Sequence, residues 1–336
     1  MGVAVLAGSA LRFGFVGVGG MGGVHLREVA AREDARVAAV CDVSPEALDR
    51  ALERLGPQGA EAARYTDLEA MLRGAALDAV VIATPHTRHA AQILAALDRG
   101  LHVLVEKPMA TTAADARAII AKGESTGRVV AIAYQRHGSA AYRRAHDAIA
   151  AGQVGEIRLV TVLIAQDCLA NFLPGRTWRA DPALSGGGHF MDTGSHINDM
   201  MLWVSGLEPE SVAAHIDQHG THVDICSALS IRFSNGAVGT FAATALSPEW
   251  REEFSFYGTK GVLNIRDGET RLQVKGEDTL VLRARGRDVR PVADFIAAVR
   301  GETPAPQAPA IYGLRVAQVS EAAYKSAQSG KAERVG

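Results

Sequence analysis

A chain of 336 residues is too long for a disulfide-stapled miniprotein and, at roughly 100–200 residues per domain, has room for two domains. Hydrophobic residues make up 48% and charged residues 21%, so a sizeable core can be buried and disorder is excluded as the dominant state. Basic and acidic side chains nearly cancel, 35 against 37, which leaves no chain-wide basic field for nucleic acid or an anionic membrane. Cys41, Cys168 and Cys226 are odd in number and far apart, so a disulfide framework and a CxxC metal site are both excluded and a reducing compartment fits. The first 24 residues carry one charge, Arg12, but no basic region precedes them, and they read as a short tail running into a first strand. No other stretch is long and apolar enough to span a bilayer.

In chain order, the apolar run from Arg12 to Val16 is closed by glycines, and the residues from Val24 to Arg32 then take helical spacing: strand, turn, helix. A second apolar run, Arg36 to Asp42, precedes a helix opened by Ser44-Pro45-Glu46, where serine caps and proline suits the first helical position. Asp78 to Thr84 before a helix at 86–99, and His102 to Glu106 before a helix at 112–125, repeat the pattern. Valine and isoleucine runs without polar alternation suit strands buried on both faces, with the helices as crossovers. The expected fold class is therefore α/β: a doubly wound parallel sheet over 1–135.

Beyond Arg136 the texture changes to alternating runs at 157–164, 212–216, 227–233, 237–243, 253–257, 261–265 and 271–274. The turns Ser234-Asn235-Gly236 and Asp267-Gly268 join neighbouring runs as hairpins do, which predicts a C-terminal α+β domain over 136–310 with a large, mainly antiparallel open sheet. Pro304 to Pro309 is a connector, and 311–336 forms a closing helix and tail, with helical periodicity from Ala310 to Ser329.

Three places carry chemistry. Gly17-Val18-Gly19-Gly20-Met21-Gly22 is a GxGxxG between a strand and a helix, and Asp42 lies 20 residues beyond Gly22 at the next strand end. Glycines there allow close approach to a pyrophosphate at a helix N-terminus, and a carboxylate can accept from both ribose hydroxyls. Asp42 would repel a 2'-phosphate, so NAD is expected rather than NADP. Glu106-Lys107-Pro108 ends a buried strand, where ligands of open parallel sheets bind. In the segment from Ser185 to Asp199, Asp192 and His196 are spaced i, i+4 on one helix face, with His189 three residues ahead. Histidine with lysine suits proton transfer, and no metal is expected. Trp178 and Arg179, on a loop leading to that helix, are expected to contact substrate.

These motifs, together with Thr84-Pro85-His86-Thr87-Arg88-His89 and, near the C-terminus, the segments 291–301 and 321–326, closely resemble the glucose-fructose oxidoreductase, inositol dehydrogenase and MocA family. The resemblance implies a Rossmann domain and an antiparallel-sheet domain whose open face builds homodimers or homotetramers. It implies catalytic roles for Lys107, Asp192 and His196. It also implies cofactor contacts at Gly17, Gly19, Gly20, Met21, Gly22, Asp42, Thr84, Pro85, His86, His89, Glu106, Lys107 and Gln135. Substrate contacts are expected from Lys107, Arg136, His137, Trp178, Arg179, His189, Asp192 and His196. Two features depart from the family pattern: His86 stands where many members have asparagine, and Ala133-Tyr134-Gln135-Arg136-His137 replaces the usual asparagine-arginine pairing.

The expected activity is an NAD-dependent dehydrogenation of a secondary hydroxyl on a cyclic polyol, sugar or glycoside, a small-molecule substrate, in a cytoplasmic enzyme without a twin-arginine signal. Two rivals are glycoside cleavage or epimerisation on a retained cofactor, and a non-catalytic NAD-binding sensor. The presence of Lys107, Asp192 and His196 together disfavours the sensor.

Overall fold

The computed structural model describes residues 9–336; the short tail expected ahead of the first strand lies largely outside the described residues. In chain order the elements are β1 (Leu11–Val16), α1 (Gly20–Ala30), β2 (Ala35–Cys41), α2 (Pro45–Leu55), β3 (Ala63–Tyr65), α3 (Leu68–Gly74), β4 (Ala79–Ile82), α4 (His89–Asp98), β5 (His102–Val105), α5 (Ala113–Thr126) and β6 (Val130–Ile132). There follow α6 (Ala140–Ala150), β7 (Ile157–Asp167), α7 (Pro182–Ser185), α8 (His189–Ser205), β8 (Pro209–Asp217), β9 (Cys226–Phe233), β10 (Val238–Thr244), β11 (Leu246–Gly258), β12 (Gly261–Arg266), β13 (Glu269–Val274) and β14 (Leu280–Val281), then α9 (Pro291–Val299), α10 (Ala310–Ser329) and β15 (Glu333–Arg334).

The first unit is built on a six-stranded sheet in the order β3-β2-β1-β4-β5-β6, with every pair parallel. This is the Rossmann order. The physical reason is visible in β4 and β5, whose residues are all buried: strands without a polar face need helices on both sides of the sheet. The crossovers start as expected, with the Ser44 hydroxyl accepting from Ala47 N–H to cap α2 and the Asp67 carboxylate accepting from Ala70 N–H to cap α3.

Domain membership corrects one expectation. The first unit runs to Tyr134, but residues 290–311, expected within the C-terminal domain, belong to it as well. The cause is apolar: Val292, Phe295, Ile296 and Val299 of α9 bury among Phe13, Leu26 and Leu104, and Phe295 meets the Phe13 ring edge-on at 6.1 Å. Ile132 N–H also donates to the Ala308 carbonyl, tying the connector to β6. Thr111–Ala113 go to the second unit, where Ala113 N–H donates to Glu321 on α10.

The second unit holds a nine-stranded sheet in the order β14-β13-β12-β11-β7-β10-β9-β8-β15. All its pairs are antiparallel except β7 with β10. The expected turns are present: Gly236 at φ 84° closes β9 to β10, and Asp267 and Gly268, both at positive φ, close β12 to β13. One face of the sheet buries Val160, Val162, Leu229, Phe241 and Phe256 with α6, α8 and α10. The residues alternating with these, such as Ala228, Ser230, Val238, Thr240 and Tyr257, are exposed. No helix among the described residues is long and apolar enough to cross a membrane.

Phe295→Ala should destabilise the protein by about 3–5 kcal/mol through the cavity it leaves. The measurement is the denaturant midpoint, and an unchanged midpoint would show that α9 is peripheral to the first unit's core.

Candidate active site

The carboxyl ends of β1, β2, β4 and β5 bring the first unit's predicted residues to one edge of its sheet. Gly17, at φ 82°, turns so close to β4 that a Cβ would lie 2.6 Å from the Ala83 carbonyl, and a Cβ on Gly22 would lie 2.0 Å from the Gly17 carbonyl. Gly19 and Gly20 have nothing within 4 Å of such a Cβ, so the outer side of the turn is bare backbone at the N-terminus of α1. That helix starts at Gly20, four residues before its apolar periodicity begins. Asp42 reaches across the turn: Val18 N–H and Ser44 N–H each donate to its carboxylate at 3.0 Å. Bare amides at a helix N-terminus beside a strand-end carboxylate fit a pyrophosphate and a ribose diol, so these residues fit a dinucleotide.

At the end of β4, Thr84 donates from its hydroxyl to Gln92 at 2.6 Å, and His86 is buried in the short turn leading to α4. His89, expected to touch cofactor, is fully buried with its ring nitrogens 2.8 Å from the Thr84 and Pro108 carbonyls, so it ties two loops together. Burial holds its pKa below the usual imidazole value, against the pull of both carbonyls.

Glu106, 7% exposed, is also a support: one oxygen faces His25 Nε2 at 2.8 Å and the other accepts from Lys107 N–H at 3.2 Å. Burial opposes protonation of His25, but Glu106 and Glu28 outweigh it and raise its pKa to about 9. Burial likewise works against the Glu106 carboxylate, and His25 overcomes it and holds the acid below its ordinary range. Lys107 itself is half-buried.

In the second unit the glycine run gives way to α8, as the spacing predicts. Asp192 and His196 lie one turn apart on it. The Asp192 carboxylate accepts from Arg179 Nε at 2.6 Å, and the Arg179 guanidinium lies 4.5 Å from the Trp178 ring centroid, so these three gather at the start of α8. His189, the first residue of α8, is fully buried, with Nε2 2.8 Å from Gln166 Oε1 and its ring edge-on to Phe172.

Two expected substrate contacts are engaged within the second unit. Arg136 is ion-paired with the buried Glu252 of β11, which also accepts from the Tyr142 hydroxyl, so its charge is spent inside the unit. His137, 1% exposed, meets Asp199 at 2.7 Å and stacks on Trp203 at 4.1 Å, a packing role. Gln135 sits on an exposed turn.

Asp224 is the residue sequence reasoning missed. Its buried carboxylate accepts from Gly188 N–H, Phe190 N–H and the Tyr324 hydroxyl, each at 2.6 Å, and so caps α8 from a distant loop. Burial pushes its pKa up, against those donors. The triple glycine answers to this cap, since a Cβ on Gly188 would lie 1.9 Å from the Asp224 carbonyl and one on Gly187 2.2 Å from Tyr324 Oη. The only local signal was an acid inside the apolar run Val223-Asp224-Ile225.

A dinucleotide cradle on a Rossmann sheet, together with a carboxylate–histidine helix on a large antiparallel sheet, defines a class of nicotinamide-dependent oxidoreductases. Residues 11–134 match the description "Oxidoreductase family, NAD-binding Rossmann fold" and residues 142–264 match "GFO/IDH/MocA C-terminal domain"; the chain belongs to this GFO/IDH/MocA family and is an oxidoreductase. It is 26% identical to D-glucoside 3-dehydrogenase of Escherichia coli over 97% of both chains, and 31% identical to inositol 2-dehydrogenase of Rhizobium meliloti over 61% of this chain and 58% of that one. Among solved structures, the WlbA dehydrogenase of Bordetella pertussis in complex with NADH and UDP-GlcNAcA is 26% identical, with a TM-score of 0.84 over 97% of this chain and 99% of that one.

Asp224→Ala leaves three buried donors without an acceptor and should lower stability by roughly 3 kcal/mol or more. Thermal unfolding measures it, and a midpoint within a degree of wild type would show that α8 does not depend on the cap.

Proposed function

We propose that the protein is an NAD-preferring dehydrogenase that oxidises a secondary hydroxyl of a cyclic polyol, sugar or glycoside. The observation that carries this reading is the start of α8, where the carboxylate of Asp192, oriented by Arg179, lies one turn before His196 in a group that also holds Trp178. A carboxylate and an imidazole on one helix face suit a vicinal diol: the imidazole takes a proton from one hydroxyl while the carboxylate accepts from its neighbour. Indole and guanidinium give an apolar plane edged by donors, which suits a sugar ring. D-glucoside 3-dehydrogenase and inositol 2-dehydrogenase, both named for ring hydroxyl oxidation, support the substrate class.

His196 removes the hydroxyl proton. Lys107 donates from Nζ to the same oxygen and stabilises its growing negative charge. Asp192 orients the neighbouring hydroxyl. Bound nicotinamide supplies the hydride acceptor. Glu106, His25 and His89 hold the strand-end loop that carries Lys107, and Asp224 holds the helix that carries the other two.

His196→Ala should lower kcat about 100- to 10,000-fold with NAD affinity unchanged, because the histidine belongs to the second unit and the dinucleotide turn to the first. Steady-state turnover on a panel of inositols, monosaccharides and glycosides, followed at the nicotinamide absorbance, tests both the substrate class and this residue. A near-normal rate in the variant would move the proton elsewhere, first to Lys107.

Asp42→Ala should weaken NAD far more than NADP, because the cofactors differ only at the ribose 2'-position that the carboxylate would meet. Binding titrations with both decide it, and equal losses would remove Asp42 from the ribose.

The open face of the second unit's sheet, where exposed Val238 and Tyr257 flank the half-buried Leu159 with which both pair, supports a homodimer or homotetramer built on that face. Light scattering at micromolar concentration should give a multiple of the chain mass; a monomer would contradict it.

A further inference from the structure

Glu106 divides its two oxygens between different elements. One accepts the main-chain N–H of Lys107 at 3.2 Å, and the other faces Nε2 of His25 at 2.8 Å. His25 is 3% exposed and lies on α1, one turn beyond the glycines of the dinucleotide turn. Its Nδ1 faces Glu28 at 3.8 Å, and Glu28 in turn pairs with Arg290 at 3.3 Å. The relay Arg290, Glu28, His25, Glu106 thus ends on the amide of Lys107, while His89 holds the Pro108 carbonyl on the far side. A neutral imidazole donates through one nitrogen only, whereas an imidazolium donates to Glu106 at 2.8 Å and still presents positive charge to Glu28 at 3.8 Å. A buried carboxylate without a cation would take up a proton or turn toward water, and in either case it would release the lysine's main chain.

We propose that His25 is a positioning residue: by pairing with Glu106 it fixes the carboxylate that holds the Lys107 main chain, and it ties the placement of that lysine to the helix that opens at the dinucleotide turn. This rests on Lys107 acting on the substrate oxygen as proposed above. The raised pKa of His25 agrees with the imidazolium form.

The test is a double-mutant cycle of His25→Leu and Lys107→Met. It uses the full-length protein, saturating NAD, and whichever of myo-inositol, D-glucose and methyl glucoside turns over fastest, with the thermal midpoint measured alongside. In the presence of Lys107, His25→Leu should lower kcat about 10- to 100-fold, the scale of a misplaced catalytic group. In Lys107→Met the same change should cost the residual rate nothing further, although it lowers the thermal midpoint equally in both backgrounds. His25→Gln, which keeps a donor toward Glu106, should recover part of the lost kcat.

An equal fold-loss of rate in both backgrounds, or an unchanged kcat in His25→Leu, overturns the proposal and leaves His25 as packing. A near-normal rate in Lys107→Met overturns the role given to Lys107 itself, and the inference with it, which separates that failure from the first. Should His25→Leu fail to fold, Glu106→Gln replaces it in the same cycle, since it removes the charge at constant shape, and the same outcomes decide.

Discussion

A carboxylate buried at the end of a strand demands a cation or a proton, and the first unit meets that demand at Glu106 with His25. The consequence reaches beyond the pair. Because His25 stands on α1, that helix must sit close against the sheet, and it does so through glycines that allow a Cα where any Cβ would strike a carbonyl. The same seating leaves bare amides at the helix N-terminus, so the device that neutralises the acid also shapes the dinucleotide cradle. Lys107 is held through its main-chain N–H, which donates to the Glu106 carboxylate.

The second unit uses a buried carboxylate in a different way. Asp224 takes three donors at the start of α8, two of them the N-cap amide of Gly188 and the first-turn amide of Phe190, which would otherwise be orphaned. Its effect is to carry Asp192 and His196 on a capped helix rather than a loop, the arrangement that the proposed proton transfer calls for. Two further pairs, Arg136 with Glu252 and His137 with Asp199, are also buried, and they turn residues that look like ligand contacts into supports.

Motif spacing was sufficient wherever function depends on neighbours along the chain. The glycine turn, Asp42 at the next strand end and the i, i+4 pair on α8 all follow from backbone periodicity, and the structure brings them where that periodicity says. His25, His89 and His137 were ambiguous for the opposite reason. An imidazole in a sequence carries no mark of whether it meets a ligand or a polar group from a remote element, and these three bond to residues 81, 19 and 62 positions away respectively, by side chain or carbonyl. The return of residues 290–311 to the first unit was illegible for a similar cause, because an apolar helix face states that it needs a core without stating which.

The sequence by itself therefore determined the parallel sheet with its dinucleotide turn, the antiparallel sheet with its hairpins, and the identities of the charged residues at the strand ends, since each rests on local pattern and turn chemistry. Only the tertiary structure decided which charges are spent and which remain available. Burial and pairing are properties of contacts made after the chain has folded back on itself. Glu106, Asp224, Arg136 and His137 are spent on such contacts, while Asp42 keeps a carboxylate at the edge of the cradle because its partners there are backbone amides.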